Sequence, residues 1–556
     1  MNKYKEIAEI IFPNIKNTID DLEKRFPKRN LSAGAIVTRF APSPTGFLHT
    51  GSLFTSLVSW RFAKQTQGVF FLRLEDTDQK REIKGSGDKV VEQLMTFGIT
   101  PDESYLHAGL YGPYIQSERK EIYHTVIKAM IEKGLAYPCF CTHEELKEIR
   151  KEQESKKILP GYYHEYAKCR YLSDEEVIEK LNNKEDFVIR FKSQGQFDEK
   201  VVLEDAIRGN IEFPKNIQDI VIMKTDGLPT YHFAHVVDDH FMRTTHVTRG
   251  EEWMPSVPIH LEIFEQLNWQ KPIFCHFPVI MKLDDDKRRK LSKRKDEEAS
   301  VDYFLEKGYP IEGFLEYLMT LANSNFEEWR LANKQNDIFD FQLDFSKMSL
   351  DGALFDLEKV KSISKEVLAN MNKNDFTERA FEYSKTYDQD LYKIILKDQD
   401  YFKSIINIER EQEKPRKDYE KYSDILPIIN FFYDDYYFEL TKDLIFNERF
   451  DKAFLIEILS EYRDHLNLDL DQENWFNEMR ELALARNFAK RAKQYLNEPD
   501  KYVGHIGEYA EIIRVATCAK TSTPNFYDVL KIIGKERVIE RINHTISLLS
   551  KSQIHH

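Results

Sequence analysis

The sequence predicts a Rossmann-type α/β domain with a split parallel sheet, an α/β insertion within it and an all-α second half. Residues 36–74 follow the order strand, turn, helix, strand, which begins a βαβ unit because parallel strands need a crossover helix. Charged helices and short strands occupy residues 101–210, and apolar strand-like runs return after them. Beyond about residue 300 the chain is charged and helical, with few convincing strands.

The elements of the split domain can be assigned in order. Residues 35–40 and 69–74 are predicted strands, and residues 52–65 between them are a predicted helix. After the insertion, residues 220–223 and 245–249 are two further apolar strands. This order predicts one parallel sheet that is interrupted by the insertion.

The first 34 residues are predicted to form one amphipathic helix that serves packing rather than chemistry. Pro13 lies near its start and Pro27 beyond its end. The apolar residues at helical spacing are Ile11, Ile15, Ile19 and Leu22.

Composition excludes several classes of protein. At 556 residues the chain exceeds what one hydrophobic core usually supports, so several domains are expected. No stretch approaches the roughly 18 uninterrupted apolar residues of a membrane span, and the first 30 residues lack the features of a secretory signal. Five cysteines in so long a chain do not resemble a disulfide framework. We therefore expect a cytoplasmic protein without membrane partners.

The formal charge of −14 argues against binding to nucleic acid, because such binding is driven by Lys and Arg. Net charge averages over the whole surface, however. The basic run at residues 287–295 can still create a local positive field. A solvated surface run is the alternative at this point.

Residues 42–51, PSPTGFLHTG, lie between a predicted strand and a predicted helix. Gly46 and Gly51 allow the backbone to approach a ligand closely, and the helix N-terminus that follows can bind phosphate. His49 could donate a hydrogen bond to a phosphate oxygen that gains negative charge. A single histidine in such a turn is more often structural, so this loop alone does not decide the chemistry.

Residues 290–294, KLSKR, follow the last strand-like run of the domain. A lysine is a compact charge on a flexible stem, which suits it to follow a triphosphate as pyrophosphate leaves. Basic pentapeptides are common, so this signal is also weak by itself. One motif lies at the first strand–helix turn of the split domain and the other follows its last strand. The occurrence of both motifs in one domain favours a nucleotide-binding function.

The chain resembles the bacterial glutamyl-tRNA synthetases, a family of class I aminoacyl-tRNA synthetases. Residues 38–51 resemble their HIGH motif, with Ser52 where a second histidine often stands, and residues 290–294 resemble their KMSKS loop. Further matches are LRLEDTD at 72–78, GPYIQSER at 112–119, LPTYHFAHVVDDH at 228–240 and TRGEEW at 248–253.

The resemblance implies an enzyme that activates L-glutamate with ATP and Mg²⁺ and transfers it to tRNA(Glu). It implies catalytic roles for His49 and Lys293. The implied ATP-binding residues are Gly46, His49, Gly51, Glu252, Lys290, Ser292, Lys293 and Arg294.

The expected amino-acid substrate carries a side-chain carboxylate, which arginine recognises best through two parallel hydrogen bonds. Arg39 and Arg249 match the family positions for this contact, Glu75 matches the residue that faces the substrate ammonium, and Tyr231 matches the pocket wall. Ser43 belongs to the same implied glutamate site. Glutaminyl enzymes are the nearest competitor, but they carry Pro-Glu-Pro at residues 42–44.

Cys139, Cys141 and Cys169 resemble a zinc-binding knob of some family members. Zinc prefers four ligands, and Tyr171 stands where a family histidine often occurs, while Tyr163 and Tyr166 do not match the family spacing cleanly. Structural zinc and buried thiols both remain open.

The second half resembles the helical anticodon-binding region through residues 355–359, 507–509, 514–517 and 532–537. A monomer that binds tRNA(Glu), with tRNA(Gln) as a second candidate, is expected. The predicted segments are an N-terminal helical extension (1–34), the first half of the catalytic domain (35–100), a connective, acceptor-binding insertion (101–210), the second half of the catalytic domain (211–280), the KMSKS loop and stem-contact region (281–349) and the anticodon-binding region (350–556).

Two other classes of protein remain as alternatives. A nucleotidylyltransferase could use the His49 loop, but it would not need some 200 helical residues after the basic motif. A catalytically silent tRNA-binding relative would keep the helical half but lose the ATP motifs, which are present here.

Overall fold

A computed structural model describes residues 3–44, 46–78, 85–285, 287–292 and 294–551. The chain divides into two units, residues 1–303 with 315–356 and residues 304–314 with 357–556. No helix in these described ranges is both long enough and apolar enough to cross a membrane.

The helices of the first unit, including two that it shares with the second (α10 and α11), are α1 (Lys3–Ile11), α2 (Ile19–Arg25), α3 (Thr50–Gln65), α4 (Ser86–Thr96), α5 (Lys120–Glu132), α6 (His143–Ser155), α7 (Asp174–Asn182), α8 (Tyr231–Phe241), α9 (Val257–Gln266), α10 (Val301–Lys307), α11 (Ile311–Ala322) and α12 (Phe326–Ala332). Its strands are β1 (Val37–Phe40), β2 (Val69–Leu72), β3 (Ala136–Cys139), β4 (Val188–Phe191), β5 (Lys200–Asp205), β6 (Gly209–Pro214), β7 (Val221–Met223), β8 (His246–Gly250), β9 (Ile273–Phe277), β10 (Met281–Asp284) and β11 (Lys287–Lys290).

The two halves of the split domain contribute neighbouring parallel strands. β1 and β2 run parallel with Val37 opposite Val69, and β8 runs parallel to β9. β5 joins β9 where Asp205 lies opposite Phe274. The backbone N–H of Thr245, just before β8, donates to the carbonyl oxygen of Val37 at 3.0 Å and brings β8 beside β1. The predicted Rossmann-type parallel arrangement is therefore confirmed for β1, β2 and β8. The predicted strand at residues 220–223 is an exception, because it forms β7 and pairs antiparallel with β4 in a separate sheet.

The first crossover has the sequence character that a buried parallel sheet requires. β1 and β2 are almost entirely buried and carry the runs VTRF and VFFL, as expected for strands that are covered on both faces. Leu53, Leu57 and Val58 on α3 are also buried. Their packing against the strands holds the loop that precedes α3 at the carboxyl end of β1.

The insertion contributes more to the parallel sheet than its sequence indicates. β3, β4 and β7 form an antiparallel sheet, while β5 pairs antiparallel with β6 and parallel with β9. The last residue of β5, Asp205, is fully buried behind β9. A strand from within residues 101–210 thus lies in the same sheet as the strands that carry the candidate site.

The prediction of a single N-terminal helix is wrong. α1 ends at Ile11 and α2 begins at Ile19. Pro13 lies between them, and a proline cannot donate the backbone hydrogen bond that a continuing helix needs. Thr18 then starts α2 with a reciprocal capping box to Asp21. Both helices serve packing, since their buried side chains join the hydrophobic core of the first unit.

Part of the basic run forms a hairpin strand rather than a loop. β10 and β11 pair antiparallel with Met281 opposite Lys290. Arg289 on β11 donates to the carboxylates of Asp284 at 2.5 Å and Asp296 at 2.6 Å. The run is therefore fixed on one side by acidic residues, and Lys290 is presented at the end of a strand.

The second unit is helical, as predicted, and has its own hydrophobic core. Its helices commonly begin at an Asp or Asn cap, for example Asn372, Asp388 and Asp451, whose side chain accepts otherwise unpaired backbone N–H groups. One short parallel strand pair departs from the all-α prediction. The elements are α13 (Leu357–Asn370), α14 (Lys373–Tyr387), α15 (Gln389–Lys397), α16 (Gln399–Ile406), α17 (Ile425–Ile429), α18 (Asp434–Leu440), α19 (Lys452–His465), α20 (Gln472–Ala485), β12 (Phe488–Ala489), α21 (Ala492–Asn497), β13 (Gly504–His505), α22 (Ile506–Cys518), α23 (Phe526–Ile533) and α24 (Lys535–Lys551).

Candidate active site

A cavity of about 440 Å³ opens at the carboxyl ends of β1, β8 and β9, the edge where open α/β sheets bind ligands. Ser292 and Arg294 do not line it, and Lys293 lies outside the described residues. The residues predicted from the sequence that do line it are Arg39, Ser43, Gly46, His49, Gly51, Glu75, Tyr231, Arg249, Glu252 and Lys290.

His49 is the N-cap residue of α3, at the floor of the cavity. Its Nδ1 accepts the backbone N–H of Gly51 at 2.9 Å. Because this bond uses Nδ1 as an acceptor, a neutral imidazole carries its proton on Nε2, which becomes a hydrogen-bond donor. A donor at a helix N-terminus is suited to stabilise negative charge on a phosphate.

Glycine is needed at the two positions of this loop for different structural reasons. Gly46 adopts a φ of +142°, a conformation that residues with a Cβ rarely adopt. A Cβ at Gly51 would lie 3.2 Å from Nδ1 of His49. Gly46 therefore permits the turn, while Gly51 leaves space for the ring of His49.

Arg39, on β1, is buried and balanced by a carboxylate. Its Nε donates to Oδ1 of Asp239 at 3.1 Å, and Asp239 also accepts from Arg73 at 3.0 Å. Burial opposes ionisation of Asp239, but Arg39 and Arg73 outweigh it and hold the pKa of Asp239 below its usual range. Much of the charge of Arg39 is thus neutralised within the protein.

Arg249, at the end of β8, is only 5% exposed and has a different environment. Its guanidinium contacts ring nitrogens, Nε2 of His276 at 3.1 Å, Nε2 of His235 at 3.4 Å and Nδ1 of His260 at 3.4 Å. Within the part of the chain that the structure describes, it forms no ion pair with a carboxylate. Burial lowers the pKa of Arg249, yet a guanidinium stays charged at neutral pH. The cavity wall therefore carries a buried positive charge that is not paired directly with a carboxylate among the described residues.

The three histidines around Arg249 add no second charge. Burial, followed by the charges of Arg39 and Arg249, lowers the pKa of His235 well below its usual value. Burial, with His235 as a further cause, does the same for His260. Burial also lowers the pKa of His276, although Asp205 opposes it. All three rings are neutral at physiological pH and can accept hydrogen bonds from the arginines.

Comparison with known proteins identifies the family. The model described as the catalytic domain of class I tRNA synthetases (E and Q) matches residues 35–362, and an anticodon-binding domain model matches residues 500–546. A glutamate–tRNA ligase of Acetivibrio thermocellus is 44% identical over 547 residues, which are 98% of this chain and 100% of that relative. The chain belongs to the glutamate–tRNA ligase family.

Further relatives of this ligase family agree. A glutamate–tRNA ligase of Clostridium perfringens (strain 13 / Type A) is 43% identical over 97% of this chain and 100% of its own length. A crystal structure of a glutamate tRNA ligase from Elizabethkingia meningosepticum in complex with its amino acid has a TM-score of 0.74 and 30% identity, and covers 93% of this chain and 100% of that chain.

Within this family member, Glu75 lies on the wall of the cavity, next to the buried arginines. Its backbone N–H donates to the carbonyl oxygen of Pro42 at 2.9 Å, and its Oε1 accepts from Arg73 at 3.1 Å. Burial raises the pKa of Glu75, although Arg73 and Arg39 oppose this rise. An ammonium group bound beside Glu75 would favour the ionised carboxylate.

Aromatic rings complete one wall of the cavity. The ring of Tyr231 lies 4.6 Å from that of Trp253 and 5.6 Å from that of His235, centroid to centroid. Burial raises the pKa of Tyr231 to about 12, so the phenol keeps its proton. Tyr231 therefore offers an uncharged O–H group beside Arg249.

The basic loop is anchored at the mouth of the cavity by acidic residues. Nζ of Lys290 donates to Glu252 at 2.8 Å, and both side chains are partly exposed. The buried carboxylate of Asp296 accepts from the backbone N–H of Ser292 at 2.9 Å and from Arg289. Hydrogen bonding from Arg289 is the main cause that lowers the pKa of Asp296, so this anchor is ionised at neutral pH.

The three cysteines lie together in a separate cluster on the insertion. The sulfur atoms of Cys139, Cys141 and Cys169 all lie within 4.8 Å of one another. The hydroxyl of Tyr162 lies 3.2 Å from Sγ of Cys141 and 3.5 Å from Sγ of Cys139. Hydrogen bonds from the neighbouring thiols lower the pKa of Cys139, which favours a thiolate.

The oxygen beside these sulfurs belongs to a residue that the sequence analysis did not single out. The hydroxyl of Tyr163 donates instead to the carbonyl oxygen of Leu159, and Tyr171 is 66% exposed. The hydroxyl oxygen of Tyr162 also accepts the backbone N–H of Cys169 at 3.0 Å, which holds it beside the sulfurs.

Several residues around Arg249 and the cavity were not predicted from the sequence. His235 and Asp239 follow Tyr231 at intervals of four residues on α8, so all three share one face of the helix. That spacing is a signal that could have identified them. Asp205 and His276 carry no such signal, because they lie on different strands that meet only in the folded sheet.

Proposed function

We propose that this chain joins L-glutamate to the 3′ end of tRNA(Glu), consuming ATP and releasing AMP and pyrophosphate. Membership of the glutamate–tRNA ligase family supports the reaction. One observation carries the substrate assignment. The guanidinium of Arg249 is buried and has no carboxylate partner among the described residues.

A buried charge is costly unless it is paired. Arg249 faces a cavity that can hold a small ligand, and a planar guanidinium pairs best with a carboxylate through two parallel hydrogen bonds. The side-chain carboxylate of glutamate supplies the missing charge, whereas the neutral carboxamide of glutamine leaves Arg249 unbalanced. Arg39 contributes a second guanidinium to the same wall, and Ser43 and Tyr231 contribute polar contacts to the amino acid.

The first chemical step requires glutamate and ATP to lie together in the cavity. An oxygen of the α-carboxylate attacks the α-phosphorus, and pyrophosphate leaves from MgATP, which is the form of the substrate. Nε2–H of His49 stabilises the negative charge that develops on the phosphate oxygens. The ammonium of glutamate binds beside Glu75, which orients the α-carboxylate.

The basic loop acts on the leaving pyrophosphate. Lys290, Ser292, Lys293 and Arg294 supply two kinds of contact, positive charge and hydrogen bonds, to the triphosphate. Lys290 exchanges its pairing with Glu252 for the phosphates when ATP binds, and Glu252 is then available to the nucleoside. Gly46 and Gly51 allow the backbone to lie close to the nucleotide.

In the second step, the terminal ribose hydroxyl of the tRNA attacks the glutamyl carbonyl and AMP leaves. The helical second half binds the anticodon, which the matched anticodon-binding model supports. We propose that the protein acts as a cytoplasmic monomer, and that tRNA(Gln) is a second acceptor that the same helical half could admit. The cysteines, none of which forms a disulfide, fit a reducing compartment.

A charging assay tests this function directly. Purified protein with ATP, Mg²⁺ and tRNA(Glu) is expected to attach radiolabelled glutamate to the tRNA, and glutamine is expected to remain unattached. A parallel reaction with tRNA(Gln) decides whether that tRNA is also an acceptor. Attachment of glutamine in preference to glutamate would refute the carboxylate assignment of Arg249.

We also propose that the thiol cluster on the insertion binds one structural zinc ion. Zinc is held by four ligands, with Zn–S bonds of about 2.3 Å, which separate two sulfurs by about 3.8 Å in a tetrahedron. Cys141 and Cys169 are 3.5 Å apart, and the hydroxyl of Tyr162 provides a fourth donor. The residues present therefore fit the ion, which would tie β3 to the segment around Cys169.

Metal analysis of the purified protein tests the zinc site. About one zinc per chain is expected, and Cys141→Ser is expected to lose most of it because metal affinity needs the thiolate ligands. Cys275→Ser is the matched control, since Cys275 is buried in β9 away from the cluster. Zinc-free wild-type protein, or equal zinc in both variants, would leave the cluster as buried thiols.

A further inference from the structure

A line of buried side chains connects the insertion to the amino-acid pocket. Oδ2 of Asp205 accepts from Nδ1 of His276 at 2.7 Å, and Nε2 of His276 accepts from Nε of Arg249 at 3.1 Å. We propose that Asp205 and His276 are positioning residues that fix Arg249 for the substrate carboxylate and so determine the choice of glutamate. This proposal rests on the proposed function and deepens it.

The hydrogen-bond pattern determines the direction of each bond. Arg249 can only donate, so Nε2 of His276 must accept and the ring proton must lie on Nδ1, where Asp205 accepts it. His276 is therefore held in one tautomer by the carboxylate, in the same way that carboxylates orient metal-binding histidines. A rotated or protonated ring could not accept from Arg249.

The hydrogen bond to His276 uses the Nε–H group of the Arg249 guanidinium. The Nε–H of Arg249 is occupied at 3.1 Å, while both terminal nitrogens make longer contacts with Nδ1 of His260, at 3.4 and 3.5 Å. Those two nitrogens form the edge that can grip a carboxylate with two parallel bonds. Fixing the Nε side therefore limits rotation of the guanidinium, so that its terminal nitrogens need only exchange their long contacts with His260 for the substrate carboxylate, and such pre-organisation increases affinity by reducing the entropy lost on binding.

The side chain of Asp205 is itself held in place by backbone N–H groups. It accepts from the backbone N–H groups of Ile207 at 3.0 Å, Arg208 at 3.1 Å and His276 at 3.2 Å. Its side chain and that of His276 are fully buried. Asp205 ends β5, a strand of the insertion. Two successive hydrogen bonds, from His276 to Asp205 and from Arg249 to His276, therefore connect the insertion to the proposed amino-acid pocket.

A matched pair of variants separates positioning from general packing. The carboxamide of His276→Gln can accept from Arg249 through its oxygen and donate to Asp205 through its nitrogen, whereas His276→Leu has a similar volume and no polar atom. His246→Leu is the control, because His246 lies at the opposite end of β8, outside the cavity, where its ring stacks on Phe345.

We expect His276→Leu to raise the KM for glutamate about 10- to 100-fold in the tRNA charging assay, as for the loss of a hydrogen bond to a charged group. The KM for ATP should change less than about threefold, because the nucleotide does not contact Arg249 in the proposed function. His276→Gln should recover glutamate KM to within about fivefold of wild type, and His246→Leu should match wild type.

Three outcomes would overturn the proposal. One is a normal glutamate KM in His276→Leu, and another is an equal rise of the glutamate and ATP KM values. The third is a His276→Gln variant as impaired as His276→Leu. Each of these contradicts the positioning role while leaving glutamate charging by the wild type intact. A wild-type protein that failed to charge tRNA(Glu) would contradict the proposed function and this inference with it.

Thermal unfolding of each variant shows whether it folds. If His276→Leu does not fold, Asp205→Asn provides the same test. In this variant an amide NH₂ group faces Nδ1 of His276 in place of the carboxylate oxygen, so the acceptor that selects the tautomer of His276 is lost. A raised glutamate KM with an unchanged ATP KM in Asp205→Asn supports the positioning role, and unchanged values for both substrates refute it.

Discussion

Arg249→Met is expected to lower kcat/KM for glutamate by about 10³-fold or more, while the protein remains folded. Truncating one partner of a buried, hydrogen-bonded charge pair costs about 2–5 kcal/mol, and about 4 kcal/mol corresponds to a factor of 10³. Binding of ATP should change little. The measurement is steady-state charging of tRNA(Glu) at varied glutamate and varied ATP concentrations.

The same substitution should leave stability unchanged or increase it. In the absence of substrate, Arg249 is a buried charge that forms no direct ion pair with a carboxylate within the described chain. Replacing such a charge with an apolar side chain of similar length is often neutral or stabilising. The melting temperature of Arg249→Met should therefore equal or exceed that of the wild type.

Arg39→Met provides the contrasting control. Arg39 is paired with Asp239 at 3.1 Å, so its removal leaves a buried carboxylate with one guanidinium fewer. We expect both glutamate use and melting temperature to fall in this variant. A similar fall in melting temperature for both substitutions would show that Arg249 is satisfied within the protein, and would remove the main argument for a carboxylate substrate.

Asp238→Asn should produce the largest loss of stability among the substitutions considered. Oδ1 of Asp238 accepts from Nε of Arg119 at 2.6 Å and from Tyr123 at 3.0 Å, while Oδ2 accepts from Gln116 at 2.8 Å. Arg73 also lies 3.5 Å from this carboxylate. The amide supplies only one acceptor oxygen and removes the negative charge, so two fully buried guanidinium groups lose a counterion.

Breaking a buried ion pair by removing one partner costs about 3–5 kcal/mol. Urea unfolding followed by tryptophan fluorescence measures the free energy of unfolding and reports mainly on the first unit, because Trp60, Trp253, Trp269 and Trp329 lie there and only Trp475 lies in the second unit. Asp198→Asn is the matched control because Asp198 is exposed, and it should change the free energy of unfolding by less than about 0.5 kcal/mol. A comparably small effect for Asp238→Asn would mean that the arginines find other partners.

The local conformation of the loop that carries His49 could be predicted from the sequence because its residues are contiguous. Residues 42–51 contain the turn, the glycines and His49 in one stretch that ends at a helix N-terminus. Each of these properties depends on backbone conformation and near neighbours. The same holds for the parallel strands, whose apolar runs are visible in the sequence. The N-terminal prediction failed at Pro13, because apolar residues can keep helical spacing across a proline that interrupts the helix.

From the sequence alone follow the family, the first parallel strands and the choice of residues that line the cavity. The sequence could not show which charged residues balance one another. Arg39 meets Asp239 across 200 positions of the chain, and His276 meets Asp205 across 71. Burial then decides the consequence, because a paired guanidinium stabilises the fold whereas an unpaired one attracts an anion. Only the tertiary structure distinguishes Arg249 from Arg39, since electrostatic balance depends on distance in space and exclusion of water.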